Sequence, residues 1–441
     1  MSAAASAAQG IQAKVLATQG RPRAGHLLLI VVAGAAAALG AWAEWIQIRD
    51  GLRVSGLNRP VGWAIYITDF VFWVGIAHSG TLISAVLFLL RARFRTAIYR
   101  VAEAMTVFGV MTAGLFPVVH LGRPWFAYWL FPLPNQRHLW VNFRSPLMWD
   151  VFAVSTYFIV SAIFLVVGIV PDAAALRDAS RGWRRRFYGV FAAGWRGTDE
   201  EWRHYARAYL YFAAFATPLV FSVHSVVSWD FAVSILPGWH STIFPPYFVA
   251  GAIFSGIAMV VTLLVPLRKV LHLEELITSW HLDMTSRMIL LTSLIVTYSY
   301  LIEAVMAFRA GPGTELSILA YRATGPFAPL FWTMVGCNCV FPLFLMGSRV
   351  RTSPAALLCI CILVNVGMWL ERFIIIVTSL SHDRIPFDWW GIYRPTIVEA
   401  GITLGSFGWF FFWFLIFVKL LPAVSISEMK EEVAHEVGHA A

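Results

Sequence analysis

The chain has 441 residues, of which 59% are hydrophobic and 13% charged, with a mean hydropathy of +0.70 and a formal net charge of +9. Soluble domains cannot hide that much apolar surface, so the composition excludes an ordinary soluble protein and leaves an integral membrane protein. In a soluble chain the positive balance would point to nucleic acid; here it is read as basic loops on one membrane face, with no nucleic-acid partner.

The Ala-rich first 25 residues carry Lys14, Arg21 and Arg23, and the apolar run from His26 imitates a signal peptide. No small-residue cleavage site follows it, so it is read as a retained helix. Apolar runs long enough to span a bilayer lie near 26–47, 61–90, 98–119, 146–170, 205–228, 246–267, 286–309, 327–346, 354–380 and 394–421. They predict an all-α integral membrane protein with ten transmembrane helices. If the N-terminus is cytoplasmic, that side receives 22 Lys and Arg, the other side ten, and Arg372 falls inside a span. This asymmetry places both termini in the cytoplasm. The basic loop 171–204, with Arg184, Arg185 and Arg186, is its strongest anchor.

An internal repeat shows along the chain. Phe72-x-x-Gly75-x-x-His78-Ser79-Gly80 on helix 2 matches Phe248-x-x-Gly251-x-x-Phe254-Ser255-Gly256 on helix 6, at an offset of 176. Pro146-Leu147-x-Trp149-Asp150 matches Pro329-Leu330-x-Trp332-Thr333 at an offset of 183. The expectation is two parallel four-helix bundles, helices 2–5 and 6–9, flanked by helices 1 and 10. The divisions are 1–60 (tail and helix 1), 61–245 (first bundle), 246–393 (second bundle) and 394–441 (helix 10 and tail). The first copy keeps His78 and Asp150 where the second has Phe254 and Thr333, so the ionisable chemistry is expected in the first bundle.

The stretch from His120 to Asp150 joins helices 3 and 4. It carries Arg123, Arg137 and Arg144 with Trp125, Trp129, Trp140 and Trp149. It reads as the lid and floor of a pocket at the outer surface. His224 and Asp230 end helix 5 on the same side. A histidine, a carboxylate and aromatic walls suit a quinol, which gives up two electrons and two protons. His120 and Asp150 are the candidate catalytic pair. Asp69, Arg123, Trp125, Arg144, Trp149, His224 and Asp230 are the candidate quinol-binding groups.

Asp69 and His78, nine residues apart on helix 2, point to nearly opposite faces. Either helix 2 is buried all round or only one of them lines the site. Charged groups within a span are costly and face a cavity or a partner. His78, Tyr298, Glu303, Glu371 and Arg372 are therefore the candidate proton-path groups, with mutual neutralisation as the alternative for Glu371 and Arg372.

Three motifs are set aside. Cys337/Cys339 and Cys359/Cys361 are spaced i, i+2 on helices, point to different faces, and read as packing residues. His435-Glu436-Val437-Gly438-His439 has the spacing of a zinc-protease helix, but it has no third ligand downstream and a glycine inside it. A haem pair fails because His78 is the only histidine near mid-membrane in this reading, and no C-x-x-C-H occurs. No haem, metal or iron–sulfur cluster is expected in the chain itself.

Ile67–Leu90 (ITDFVFWVGIAHSGTLISAVLFLL), His120–Trp125 (HLGRPW), Val223–Phe231 (VHSVVSWDF) and Trp239–Ala252 (WHSTIFPPYFVAGA) resemble the NrfD/polysulfide reductase C-like family of quinone-binding membrane subunits. Ordinary members have eight helices. Ten helices resemble the two large membrane subunits of bacterial alternative complex III, the ActC type and its close paralogue, the ActF type. The outer-side Asp230 and the W-H-S-T-I-F segment favour the ActC type. The resemblance implies a bacterial inner-membrane protein that binds menaquinol or ubiquinol. It implies as partners an iron–sulfur subunit, a multihaem cytochrome c subunit and a homologous ten-helix subunit, with a cytochrome c or a terminal oxidase receiving the electrons. It also implies His120 and Asp150 as the quinol pair and His78 as a proton-path position, with proton translocation following less directly. A structural, proton-conducting paralogue and a secondary transporter are the competing readings.

Overall fold

A computed structural model of the chain describes residues 3–20, 22–133, 143–310, 313–383 and 389–430. Arg137, Trp140 and the 435–439 motif lie outside the described residues. Among the described residues, ten helices are long and apolar enough to cross a bilayer. They are α1 (Ala24–Asp50), α2 (Ile65–Leu89), α3 (Tyr99–His120), α4 (Pro146–Ala179), α5 (Asp199–Ala232), α6 (Phe244–Val270), α7 (Ser279–Arg309), α8 (Ala328–Met346), α9 (Pro354–Leu380) and α10 (Ile397–Leu420). The only strand pairing among the described residues joins His382–Asp383 to Trp389–Trp390. The expected fold class, all-α with ten spanning helices, is what the structure has.

The segment 171–204, read as a loop, is mostly helical. α4 continues through Pro171 to Ala179, a short helix covers Gly182–Phe191, and α5 starts at Asp199. Thr198 caps α5 by accepting from Glu201 N–H, while Glu201 reaches back to the Thr198 N–H at 2.9 Å. This reciprocal cap fixes the helix start well before the apolar run begins. At 34 residues each, α4 and α5 rise about 50 Å, against a hydrocarbon core of about 30 Å. Their polar ends around 171–179 and 199–204 therefore extend beyond the length a bilayer needs, and hydropathy alone misses them.

α2 is the centre of the molecule. In its most apolar stretch 94% of residues are buried, against 17% in α1. It packs on α3, α5, α6 and α9, so the first of the two alternatives for helix 2 holds: Asp69 and His78 are both buried. Small residues permit the close approach. A Cβ on Gly80 would lie 2.1 Å from the Ala102 carbonyl oxygen of α3, and one on Gly256 would lie 2.0 Å from the Ser79 hydroxyl. Gly75 in turn faces Ala252 and Ser255. At the periphery α1 and α10 cross through Gly40 and Gly405, where a Cβ on either would sit within 2.5 Å of the other's backbone. π turns interrupt α2 at Leu82–Val86 and α8 at Gly336–Val340.

Candidate functional site

The structure sorts the candidate residues into groups along the membrane. At the end read as outer, Asp150 opens α4 behind Pro146 and is buried. Its carboxyl faces that of Asp230 near the end of α5. Each carboxyl keeps one oxygen, Oδ1, buried and without a partner among the described residues. Trp149 packs edge-on against Trp229 with centroids 5.8 Å apart, and its indole N–H donates to the Phe143 carbonyl at 2.6 Å. This pins the start of α4 to the loop before it. Two facing carboxyls in a buried space can hold a proton between them.

His120 ends α3, and its ring rests edge-on against Tyr66 at 6.3 Å. The Tyr66 hydroxyl donates to Gln47 Oε1, and Gln47 Nε2 donates to the Val119 carbonyl at 2.8 Å. So α1, α2 and α3 together fix the histidine. His120 Nδ1 is buried with no partner among the described residues. Arg123 lies over Trp125 at 5.8 Å, and both are exposed, as is Arg144. His120 and Asp150 thus take different immediate neighbours, a tyrosine and a second carboxyl.

Asp69 stands apart from this end. Its two oxygens accept from Trp369 Nε1 and Thr403 Oγ1, each at 2.7 Å. Both are satisfied from α9 and α10, so the carboxylate ties three helices together rather than opening toward the Asp150 pocket.

His224 belongs with His78. Their ring centroids are 4.7 Å apart, and His224 is fully buried. Six residues separate His224 from Asp230 on α5, a rise of about 9 Å. Tyr157 of α4 stacks on His78 at 4.6 Å, with the rings 5° from parallel. His78 Nδ1 donates to the Val74 carbonyl, and His78 Nε2 has no partner among the described residues. The same holds for both ring nitrogens of His224. Below them, the Tyr157 hydroxyl lies 2.7 Å from Thr81 Oγ1. The Ala77 carbonyl accepts from Tyr157 at 3.0 Å and from Thr106 at 2.7 Å.

The second half keeps its charges in pairs. Glu371 meets Arg372 at 2.7 Å, and the Tyr300 hydroxyl donates to Glu371 and accepts from Asn338 at 2.9 Å. The Arg372 guanidinium lies 4.3 Å over Phe248, whose ring is 6.0 Å from His224. Glu303 pairs with Arg322 at 2.6 Å, and Arg322 also donates to Thr378 at 2.9 Å. Tyr298 is 59% exposed on the outside of α7 and joins none of these groups.

A further cluster escaped the sequence reading. Arg100, fully buried, meets Asp172 at 3.0 Å, Glu103 at 3.3 Å and the Gly168 carbonyl at 2.6 Å. Tyr209 donates to Glu103 at 3.1 Å, and Asp172 Oδ1 accepts the N–H groups of Ile426 and Ser427. Next to it Arg95 pairs with Glu428 at 2.7 Å. Burial pushes the Glu428 carboxyl above its ordinary range, against the opposing pull of Arg95. The sequence signal for it is Glu103 inside an apolar run; Arg100 lies at the start of the span 98–119 and Asp172 just past the end of the span 146–170, where charges are ordinarily solvated.

Several known proteins share this chain's pattern. Residues 53–382 match the family model described as polysulphide reductase, NrfD. The chain is 25% identical over 414 residues to a Halobacterium salinarum protein named for a dimethyl sulfoxide reductase membrane subunit, covering 88% of each chain. It is 23% identical over 235 residues to the Hdr-like menaquinol oxidoreductase integral membrane subunit of Archaeoglobus fulgidus, covering 53% of this chain and 49% of that one. It is 20% identical over 239 residues to a selenate reductase subunit of Mesobacillus selenatarsenatis, covering 52% and 53%.

Proposed function

The chain belongs to the polysulphide reductase NrfD family, and we propose that it is the quinol-binding membrane subunit of a respiratory oxidoreductase of the alternative complex III kind. The observation that carries this reading is the buried Asp150 facing the half-buried Asp230, each with an unpartnered buried Oδ1, beside Trp149 at the end of the first half. Relatives named for a menaquinol oxidoreductase and for reductase membrane subunits support the substrate class. Menaquinol or ubiquinol enters from the lipid. His120 holds one hydroxyl, and the carboxyl pair accepts protons as the ring becomes a quinone. Two electrons leave to an iron–sulfur subunit and a multihaem cytochrome c subunit docked outside, and two protons leave to the outer compartment. A homologous ten-helix protein completes the membrane part.

The repeat supports this division of labour. Gly75 faces Ala252 and Ser255, while Gly256 faces Ile76 and Ser79. These contacts are reciprocal between the two motif copies, as expected of two bundles related by an axis along the membrane normal. Polar groups in the first bundle then offer a proton line inward: His224, His78, Tyr157, Thr81 and Thr106, ending on Glu103 one turn along α3. Glu371 and Arg372 supply a fixed, internally neutralised pair beside it.

The test is the side of proton release. With the whole complex in sealed, right-side-out vesicles and a soluble electron acceptor outside, added quinol should acidify the external medium as electrons flow. Electron flow with the protons appearing only inside would refute the outer site. A complex that conducts protons but never oxidises quinol would leave the structural paralogue as the answer.

A further inference from the structure

At the other end of the first half, a cavity of about 1160 Å³ opens between the inner ends of α2, α4 and α5 and the segment after α10. It exceeds the ordinary small-ligand range of about 300–1,000 Å³. Its wall carries four cationic side chains, Arg91, Arg93, Arg95 and Lys430, against two carboxyls, Asp172 and Glu428. Both carboxyls are already paired, with Arg100 and Arg95 respectively. The cationic excess therefore belongs to the cavity.

A second observation points to a ligand. Arg95 is 5% exposed, and its Nη1 has no partner among the described residues, although Nη2 holds Glu428. The buried hydroxyl of Tyr205, also in the wall, has none either. Buried donors of this kind are normally satisfied. The turn that presents the two outer arginines is fixed: Arg91 adopts φ +54° and the Ala92 N–H donates to the Leu87 carbonyl at 2.9 Å. The remaining wall is apolar and aromatic, with Phe88, Trp202 and Tyr209, and it adjoins the exposed Leu89 and Leu90 at the end of α2.

We propose that this cavity binds the phosphodiester headgroup of an anionic phospholipid, with Arg91, Arg93, the unpartnered Nη1 of Arg95, whose guanidinium is held over the Phe88 and Tyr99 rings, and the Tyr205 hydroxyl around the phosphate. The acyl chains lie along the aromatic wall between α2 and α5. A free phosphate ion would share the cationic contacts but would leave that wall uncovered. A basic pocket between helix ends matches the leaflet in which anionic lipids concentrate.

Native mass spectrometry of the full chain, stripped of lipid in neutral detergent and supplied with phosphatidylglycerol or phosphatidylcholine, tests this. Phosphatidylglycerol should be retained selectively at about one molecule per chain. An R91A/R93A variant should lose roughly 30-fold in affinity, at about 1 kcal/mol per arginine. Both arginines are exposed, so the variant should keep the unliganded melting temperature. Should it fail to fold, Tyr205→Phe provides the second reading, a weaker affinity with no change of charge. Equal retention of the two lipids, unaltered affinity in both variants, or displacement of phosphatidylglycerol by millimolar inorganic phosphate would each overturn the proposal.

Discussion

Replacing Asp150 by asparagine should lower quinol oxidation by about 10²–10⁴-fold while the complex still assembles, the range expected when a positioned proton acceptor is removed. The amide keeps the side chain's shape and can hydrogen-bond Asp230, so the helix start should hold. It cannot accept a proton. Asp230→Asn should do the same, because the two carboxyls face each other. Groups that act as one unit are not additive, so the double variant should be no slower than the slower single one. Steady-state turnover with a soluble quinol analogue, together with a gel showing which polypeptides copurify, decides it. Normal turnover in Asp150→Asn would remove the carboxyl pair from the reaction. A double variant slower by the product of the two single effects would mean that the two act separately.

Arg100→Leu should destabilise the chain by about 3–5 kcal/mol, because it leaves Asp172 and Glu103 buried without their cation. All three are at most 3% exposed. Leucine fills part of the volume but supplies none of the hydrogen bonds to Asp172, Glu103 and the Gly168 carbonyl. The loss should appear as a large fall in melting temperature in detergent, or as failure to accumulate in the membrane. Asp178→Asn is the contrast. It breaks the Arg177–Asp178 pair, in which the aspartate side chain is 65% exposed, and such surface pairs contribute about 0–1 kcal/mol. Similar effects from the two substitutions would mean that the inner cluster is not a structural knot.

Much of this molecule is legible in its sequence because a bilayer imposes simple rules. Spans need length and apolarity, and ten such runs are there to count. Costly groups on opposite faces of α2, Asp69 and His78, leave two readings, and the structure takes the one in which the helix is buried all round. What is not legible depends on contacts across the chain. Asp69 reads as a pocket group from its place on helix 2. Its oxygens are in fact taken by Trp369 and Thr403, 300 and 334 residues away.

Proximity to Asp230 assigns His224 to the outer end. Six residues along a helix suffice to move it to His78 instead. The inner cluster is hidden by the assumption that charges near a span's end are solvated. Long helices such as α4 and α5 carry such charges beyond the length a bilayer needs but keep them inside protein. Pairing decides between a proton relay and a neutralised charge, and spacing along the chain does not reveal pairing. Glu303 with Arg322, and Glu371 with Arg372, illustrate this.

Quinol should react at the Asp150–Asp230 end of the first half. Photoaffinity labelling of the intact complex with an azido-quinone, followed by peptide mapping, tests it most directly. Labels should fall on the 120–133 segment and on the start of α4 around Trp149, and excess natural quinol should suppress them. Competable labelling confined to α6–α9, with none on those two segments, would contradict a reaction there.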